Sequence, residues 1–338
     1  MTVAEELVDR AVSAVSPADR EHLRMLTLTN LAAGSGVLGR PGELVQRLPF
    51  VPARPGDAAF VIAARIHART QDDFHPATRV HAGAVALGAV LAISEITRER
   101  LLEALAAGYE AMGAAAAAYG DEVQRRGLRP TGIFGPIGAA AAASVALGLD
   151  RAGIANAIGL AVARSGGTMQ SWLSGTDEWW IEAGAAARAG LESALFSQAG
   201  AIASAEAIEG AAGWCRAYFD DDSTRLRVAL ARGESYLGEV AVKPYPISGI
   251  AQVPTELGLL AFRAMNGRRV RSGVVTLSVR AASYPGTAGQ GPFRSRSDAL
   301  MSVPFCVACA ITDGTLTLAR LEEPGAQDVS ELSARIVV

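Results

Sequence analysis

The sequence predicts a multi-domain α and α+β protein: a large all-α helical domain over residues 1–235, then a smaller α+β domain over residues 236–338. Three observations predict it. The chain has 338 residues, 50% of them hydrophobic, whereas a single hydrophobic core stops growing at roughly 250–300 residues. Its first part is built of long Ala-rich segments closed by Gly, which is helical texture. From residue 236 onward short β-branched runs appear, VAVKPYPIS, SGVVTLSVRAAS, GTLTLARL and ARIVV, with the composition and length of strands. Helices in a block followed by mixed elements argue for separate layers, not for a doubly wound α/β sheet.

Residues 81–96, HAGAVALGAVLAISEI, read as one apolar helix. Thr97 is an N-cap for the next, RERLLEALAAGYEAMGAAAAAYG, because a Thr hydroxyl accepts from the first-turn amides. Gly148 closes a third helix, and Asp150 opens a fourth at RAGIANAIGLAVARS. A further helix runs from Ala183 to Ala199 and ends at Gly200. In the second domain, helices are expected near Gln252–Met265 and Ser297–Thr312. The stretch Gly132–Leu149 is uncharged over 18 residues, long enough for a minimal membrane span. It is mostly Ala and Gly, however, and insertion is driven by Leu, Ile, Phe and Val. A buried helix in a close-packed bundle is expected instead, and no membrane partner.

The net charge is −3 with acidic and basic residues interspersed, so the chain lacks the basic footprint of a nucleic-acid binder. Cys215, Cys306 and Cys309 are too few and too irregular for a disulfide framework, which fits a reducing compartment. The start, MTVAEELVDRAV, is acidic where an export signal would be basic and then apolar. The expected location is cytoplasmic.

Two motifs match by spelling only. GSGVLG, with Gly34, Gly36 and Gly39, lacks the preceding strand that a dinucleotide fingerprint requires. Cys306 and Cys309 form a C-x-x-C inside the apolar run SVPFCVACAI with no second ligand pair, so core packing is the reading. More informative are the four histidines, His22, His67, His75 and His81, the last three of which fall in one 15-residue stretch with Asp72 and Asp73. That stretch, HARTQDDFHPATRVH, has no standard zinc spacing. His and Asp just before a helix suit acid–base chemistry; a solvated polar loop is the alternative.

At this point a family resemblance enters. DDFHPATRVHAGAVALGAVLA resembles the segment of the MmgE/PrpD family in which a DFDD-like motif leads into a histidine and an apolar helix. TGIFGPIGAAAAASVALGLD, AGAAARAGLESALFSQAG with EAIEGAAGW, VKPYPIS, and SRSDALMSVPFCVACAITDG resemble four later family elements, in the same order, over most of residues 55–315. The family includes 2-methylcitrate dehydratase, cis-aconitate decarboxylase and iminodisuccinate epimerase. What the resemblance implies is a large helical domain plus a smaller α+β domain with the active site in the cleft between them, a homodimer, and cofactor-free movement of a proton next to a carboxylate or carbonyl of a small-molecule substrate. No cofactor and no metal are expected.

Carried over residue by residue, the family histidine corresponds to His81, as acid or base, and the lysine of the K-x-Y-P element to Lys243. The first acid of the DFDD-like pattern falls on Thr70, and only the later pair survives, as Asp72 and Asp73. A family histidine falls on Arg129, a family lysine near Trp179, and an arginine and a histidine on Gly249 and Gln252. His81, Lys243, Arg129 and Asp73 are therefore the candidate catalytic residues, and Asp72, His75, Trp179, Tyr245 and Gln252 the candidate substrate contacts. These departures remove cations, so a less charged and bulkier substrate than 2-methylcitrate or cis-aconitate is expected. The alternative is a non-catalytic relative that keeps the fold and binds a ligand or partner.

Overall fold

The computed structural model describes residues 1–13, 15–36, 39–94 and 96–338. Ala14, Val37, Leu38 and Glu95 lie outside them, and with them the middle of the GSGVLG run and the next-to-last residue of the 81–96 run. Contacts divide the chain into two compact units: residues 1–168 with 180–242, and residues 169–179 with 243–338. The first is a large helical unit, and the second carries the small β content.

In chain order the first helices are α1 (Val3–Ala11), α2 (Pro17–Ser35), α3 (Arg40–Arg47), α4 (Pro55–Ala68), α5 (Ala82–Leu91), α6 (Arg98–Arg125), α7 (Pro130–Leu147) and α8 (Arg151–Val162). They are followed by α9 (Ser171–Ser174), α10 (Glu178–Gln198), α11 (Trp214–Phe219) and α12 (Thr224–Leu230). Local chemistry sets their ends. Thr97 Oγ1 accepts from the Arg100 amide at 3.3 Å and starts α6. Asp150 accepts from the Gly153 amide at 2.8 Å and starts α8, and Gly148, at φ 73°, ends α7 in the left-handed region. GSGVLG does not follow a strand: Gly36 is the C-cap of α2 and Gly39 the N-cap of α3.

The centre of the first unit is α7, buried from Pro130 through Ser144 and packed on α5, α6 and α8. By length and composition this helix is apolar enough to cross a membrane; here its faces are covered by protein. Small side chains make that possible. A Cβ on Gly108 of α6 would come within 3.0 Å of the Gly138 carbonyl of α7, and one on Gly138 within 2.8 Å of the Gly108 carbonyl. The two backbones therefore touch, and glycine, which costs a helix about 1 kcal/mol against alanine, is required there by the close approach.

The second unit contains α13 (Gln252–Met265), the strand β1 (Gly273–Val274), α14 (Val279–Ala282), α15 (Arg296–Met301), α16 (Val303–Asp313), α17 (Leu318–Glu322), α18 (Gln327–Ser333) and β2 (Ile336–Val337). β1 and β2 pair in parallel, Gly273 with Ile336 and Val274 with Val337. Two expected strands are absent. The second half of GTLTLARL is instead the start of the helix α17, because Thr317 Oγ1 accepts from the Arg320 amide at 3.4 Å and caps it. In VAVKPYPIS, Pro244 and Pro246 have no amide to give a ladder, and the run makes one bridge, Ala241 to Phe74, within the first unit. The helix expected at Ser297–Thr312 is divided at Ser302, whose hydroxyl accepts from the Phe305 amide at 2.9 Å and starts α16. Cys306 and Cys309 are buried in α16 and unpaired, as core packing requires.

Candidate active site

Four polar side chains converge inside the first unit, three of them placed by helix ends. His67 is in the last turn of α4, Asp72 in the loop 69–81, His81 at the N-cap of α5, and Arg129 at the N-cap of α7. The loop is tightly held. Thr70 and Arg79 adopt φ of 60° and 61°, a left-handed conformation that side-chain-bearing residues rarely take and that clusters at functional sites. Phe74 and Ala241 exchange backbone hydrogen bonds of 3.0 and 2.8 Å. Arg129 is fixed by its amide donating to the Gly167 carbonyl at 3.1 Å, beside the Leu128–Thr168 bridge.

Oδ2 of Asp72 lies 2.7 Å from Nδ1 of His67 and 2.9 Å from Nδ1 of His81. His81 Nδ1 is also 3.0 Å from the Asp73 carbonyl. Both neighbours of that nitrogen are acceptors, so Nδ1 carries the proton, and the lone pair of the neutral ring is on Nε2. On the far side of His67, Nη2 of Arg129 approaches Nε2 at 2.8 Å. Asp72 is fully buried and His67 is 2% exposed, while the His81 side chain is 13% exposed. Of the three, His81 is the one that reaches solvent.

His67, Asp72 and His81 also place three donor atoms within 4.8 Å of one another, a spacing compatible with a metal ion. The contacts of His67 argue against that use. A metal takes a histidine through its lone pair, and with Arg129 donating to Nε2 the lone pair of His67 is there and not on the Nδ1 that faces Asp72. Turning His67 to the other tautomer would set its N–H against a guanidinium that has no acceptor.

Asp73, one residue on, belongs to a different set. Its Oδ2 accepts from Asn30 Nδ2 at 2.7 Å and from the Tyr109 hydroxyl, and its Oδ1 from the Gly83 amide at 3.1 Å. The Asp73 amide donates back to Asn30 Oδ1 at 3.1 Å. Burial pushes this carboxyl up to about 6, against the Tyr109 and Asn30 donors, which pull it down. The Tyr109 phenol is pushed well above its usual range by the same burial, with Asp73 adding to it. Since His81 offers no side-chain cap to α5, Asp73 caps that helix from outside, and its charge complements the helix N-terminus.

Of the remaining sequence-derived residues, His75 is in the first unit and the others are in the second. His75 is buried and holds its own turn: its amide donates to the Val80 carbonyl at 3.0 Å, its Nδ1 accepts from Thr78, and its Nε2 is 3.4 Å from Glu239. Burial lowers its pKa. Lys243, Trp179, Tyr245 and Gln252 belong to the second unit. Lys243 is buried. Trp179 donates from Nε1 to Ser297 Oγ at 2.9 Å, with its ring 5.2 Å from that of Trp172. Tyr245 donates its hydroxyl to Glu256. The Gln252 amide accepts from Tyr245 N at 3.1 Å and donates to the carbonyls of Tyr245 and Ile247 at 3.0 and 3.2 Å, which fixes that turn.

Sequence reasoning missed His67 and Glu182. Glu182 Oε1 accepts from the Thr168 amide at 2.9 Å, and its Oε2 is 3.6 Å from Arg129 Nε. Arg129 is thus faced by a carboxylate on one side and His67 on the other. His67 did stand in the histidine cluster, but the family likeness carried no role to it.

Comparison with known proteins gives the same family as the motifs. A model of the MmgE/PrpD N-terminal domain matches residues 13–227. The chain is similar to the cis-aconitate decarboxylase-like protein oryM of Aspergillus oryzae, 31% identical over 159 residues, which is 44% of this chain and 33% of that one. It is also similar to cis-aconitate decarboxylase of Homo sapiens, 29% identical over 210 residues, covering 59% and 42% of the two chains. Each match spans less than half the length of the curated relative.

Proposed function

The chain belongs to the MmgE/PrpD family, and from that premise we propose that it is a lyase or isomerase that moves a proton at a carbon next to a carboxylate or carbonyl. The observation that carries the proposal is the state of His81: Nδ1 held by Asp72 and the Asp73 carbonyl, ring partly exposed. Such a ring takes a proton at Nε2, and Asp72 stabilises the imidazolium that results, as a carboxylate does in other His–Asp pairs. A group so placed contributes about 10²–10⁴-fold as general acid or base. Lys243, carried by the family likeness of VKPYPIS, is assigned to the enolate-like charge that develops at the carbonyl.

The substrate is proposed to carry one acidic or carbonyl handle. Supporting this, the Arg129 guanidinium already faces Glu182 and His67, so less of its charge is left for a polycarboxylate. A second reading, a non-catalytic relative that binds a ligand, is favoured by one observation: both oxygens of Asp73 are used by Asn30, Tyr109 and Gly83.

NMR in heavy water with a panel of carboxylic and carbonyl compounds separates the two. Deuterium incorporation next to the carbonyl, lost in Lys243→Ala, supports the enzyme. A panel that neither exchanges nor turns over supports the binding protein.

A further inference from the structure

The proposed function gives His81 a role and His67 none. We propose that Arg129 and His67 act together as a tautomer lock: Arg129 donates to Nε2 of His67, His67 therefore donates from Nδ1 to Asp72, and Asp72 is held against Nδ1 of His81. Arg129 is then a positioning residue that works through His67 and Asp72, not a contact for substrate charge. The lock's consequence for catalysis rests on the proposed function, but the lock itself is a property of the resting protein.

A guanidinium has five donors and no acceptor. Its Nη2 at 2.8 Å from His67 Nε2 therefore requires a lone pair there. The proton of His67 must then be on Nδ1, 2.7 Å from Asp72 Oδ2. The other tautomer would set N–H against N–H on one side of the ring and a lone pair against a carboxylate oxygen on the other. An imidazolium would keep the first of these conflicts. Both His67 and Asp72 are buried, where mismatched polar contacts are not relieved by water.

The lock is held from behind. Glu182 offsets the guanidinium charge from 3.6 Å and takes the Thr168 amide, while the Arg129 amide is tied to Gly167. On the other side, Asp72 Oδ2 lies against Nδ1 of both rings, at 2.7 and 2.9 Å, so a shift in His67 is felt at His81. The Asp73 carbonyl is the second acceptor at that nitrogen.

The chain has four histidines, few enough for every ring to be assigned by single His→Gln variants in protein labelled with nitrogen-15 at histidine. Two-bond proton–nitrogen correlations then read each tautomer directly, without substrate. In the wild-type protein near pH 7, His67 is expected to carry its proton on Nδ1 and a lone pair on Nε2. A proton on Nε2, or on both nitrogens, overturns the lock. In Arg129→Leu the single tautomer of His67 is expected to be lost and the ring nitrogens of His81 to shift, with Arg129→Lys restoring both in part. Unchanged rings in Arg129→Leu also overturn it, and if that variant does not fold, the wild-type tautomer decides alone. A locked His67 in a protein that exchanges no compound would defeat the proposed function and leave the lock standing.

Discussion

The backbone N–H of Gly83 donates to Oδ1 of Asp73 at 3.1 Å, so a residue ten positions earlier in the chain caps the first turn of α5. That cap orients the helix that carries His81 at its start. It also ties the loop 69–81 to Asn30 of α2 and Tyr109 of α6.

Gly83 has no room for a side chain. A Cβ there would overlap Asn30 Nδ2, Asp73 Oδ2 and the Tyr109 hydroxyl. Gly83→Ala is expected to destabilise the protein by about 3 kcal/mol, combining overpacking with disturbed buried hydrogen bonds. Urea unfolding measures it, and a loss below about 1 kcal/mol would show that the cluster yields more easily than its packing implies.

Asp73 gives a pH dependence with a definite sign. Burial raises its pKa from 3.8 to about 6 in the folded protein, so the fold favours the protonated form. Its contribution to stability is present below the unfolded value and is lost as pH rises through about 6. Relative to Asp73→Asn, the wild type is therefore expected to lose roughly 2 kcal/mol of stability between pH 4 and pH 7. Unfolding both proteins across that range tests it, and a difference independent of pH would contradict it.

The cysteines are expected to be inert in the native state. Burial pushes Cys215 up to about 11 and Cys309 up to about 12, and raises Cys306 well beyond its ordinary value. A thiol-specific reagent at pH 8 is expected to modify none of them until denaturant is added and then all three. Modification in the native protein would mean that one of these sites opens.

Helix ends were legible because their chemistry is local: Thr97, Asp150 and Gly148 each act on residues within a turn. GTLTLARL misled because β-branched content reports a preference that one capping threonine, Thr317, overrode. At the site, Asp72 and His81 were visible as part of one polar stretch leading into a helix. The contact between His67 and Arg129 was not, since the two are 62 positions apart, at the end of α4 and the start of α7. Asn30 and Tyr109, which claim Asp73, carry no local signal at all.

The central claim is that His81 moves the proton, and comparing wild type with His81→Gln tests it most directly. Deuterium uptake next to the carbonyl of the responding compound would be followed by NMR in both, with thermal melts to show that each is folded. The wild type is expected to exchange and the variant to be slower by about 10²-fold or more at unchanged fold. Equal rates in the two proteins would contradict the account and move the acid–base role away from His81.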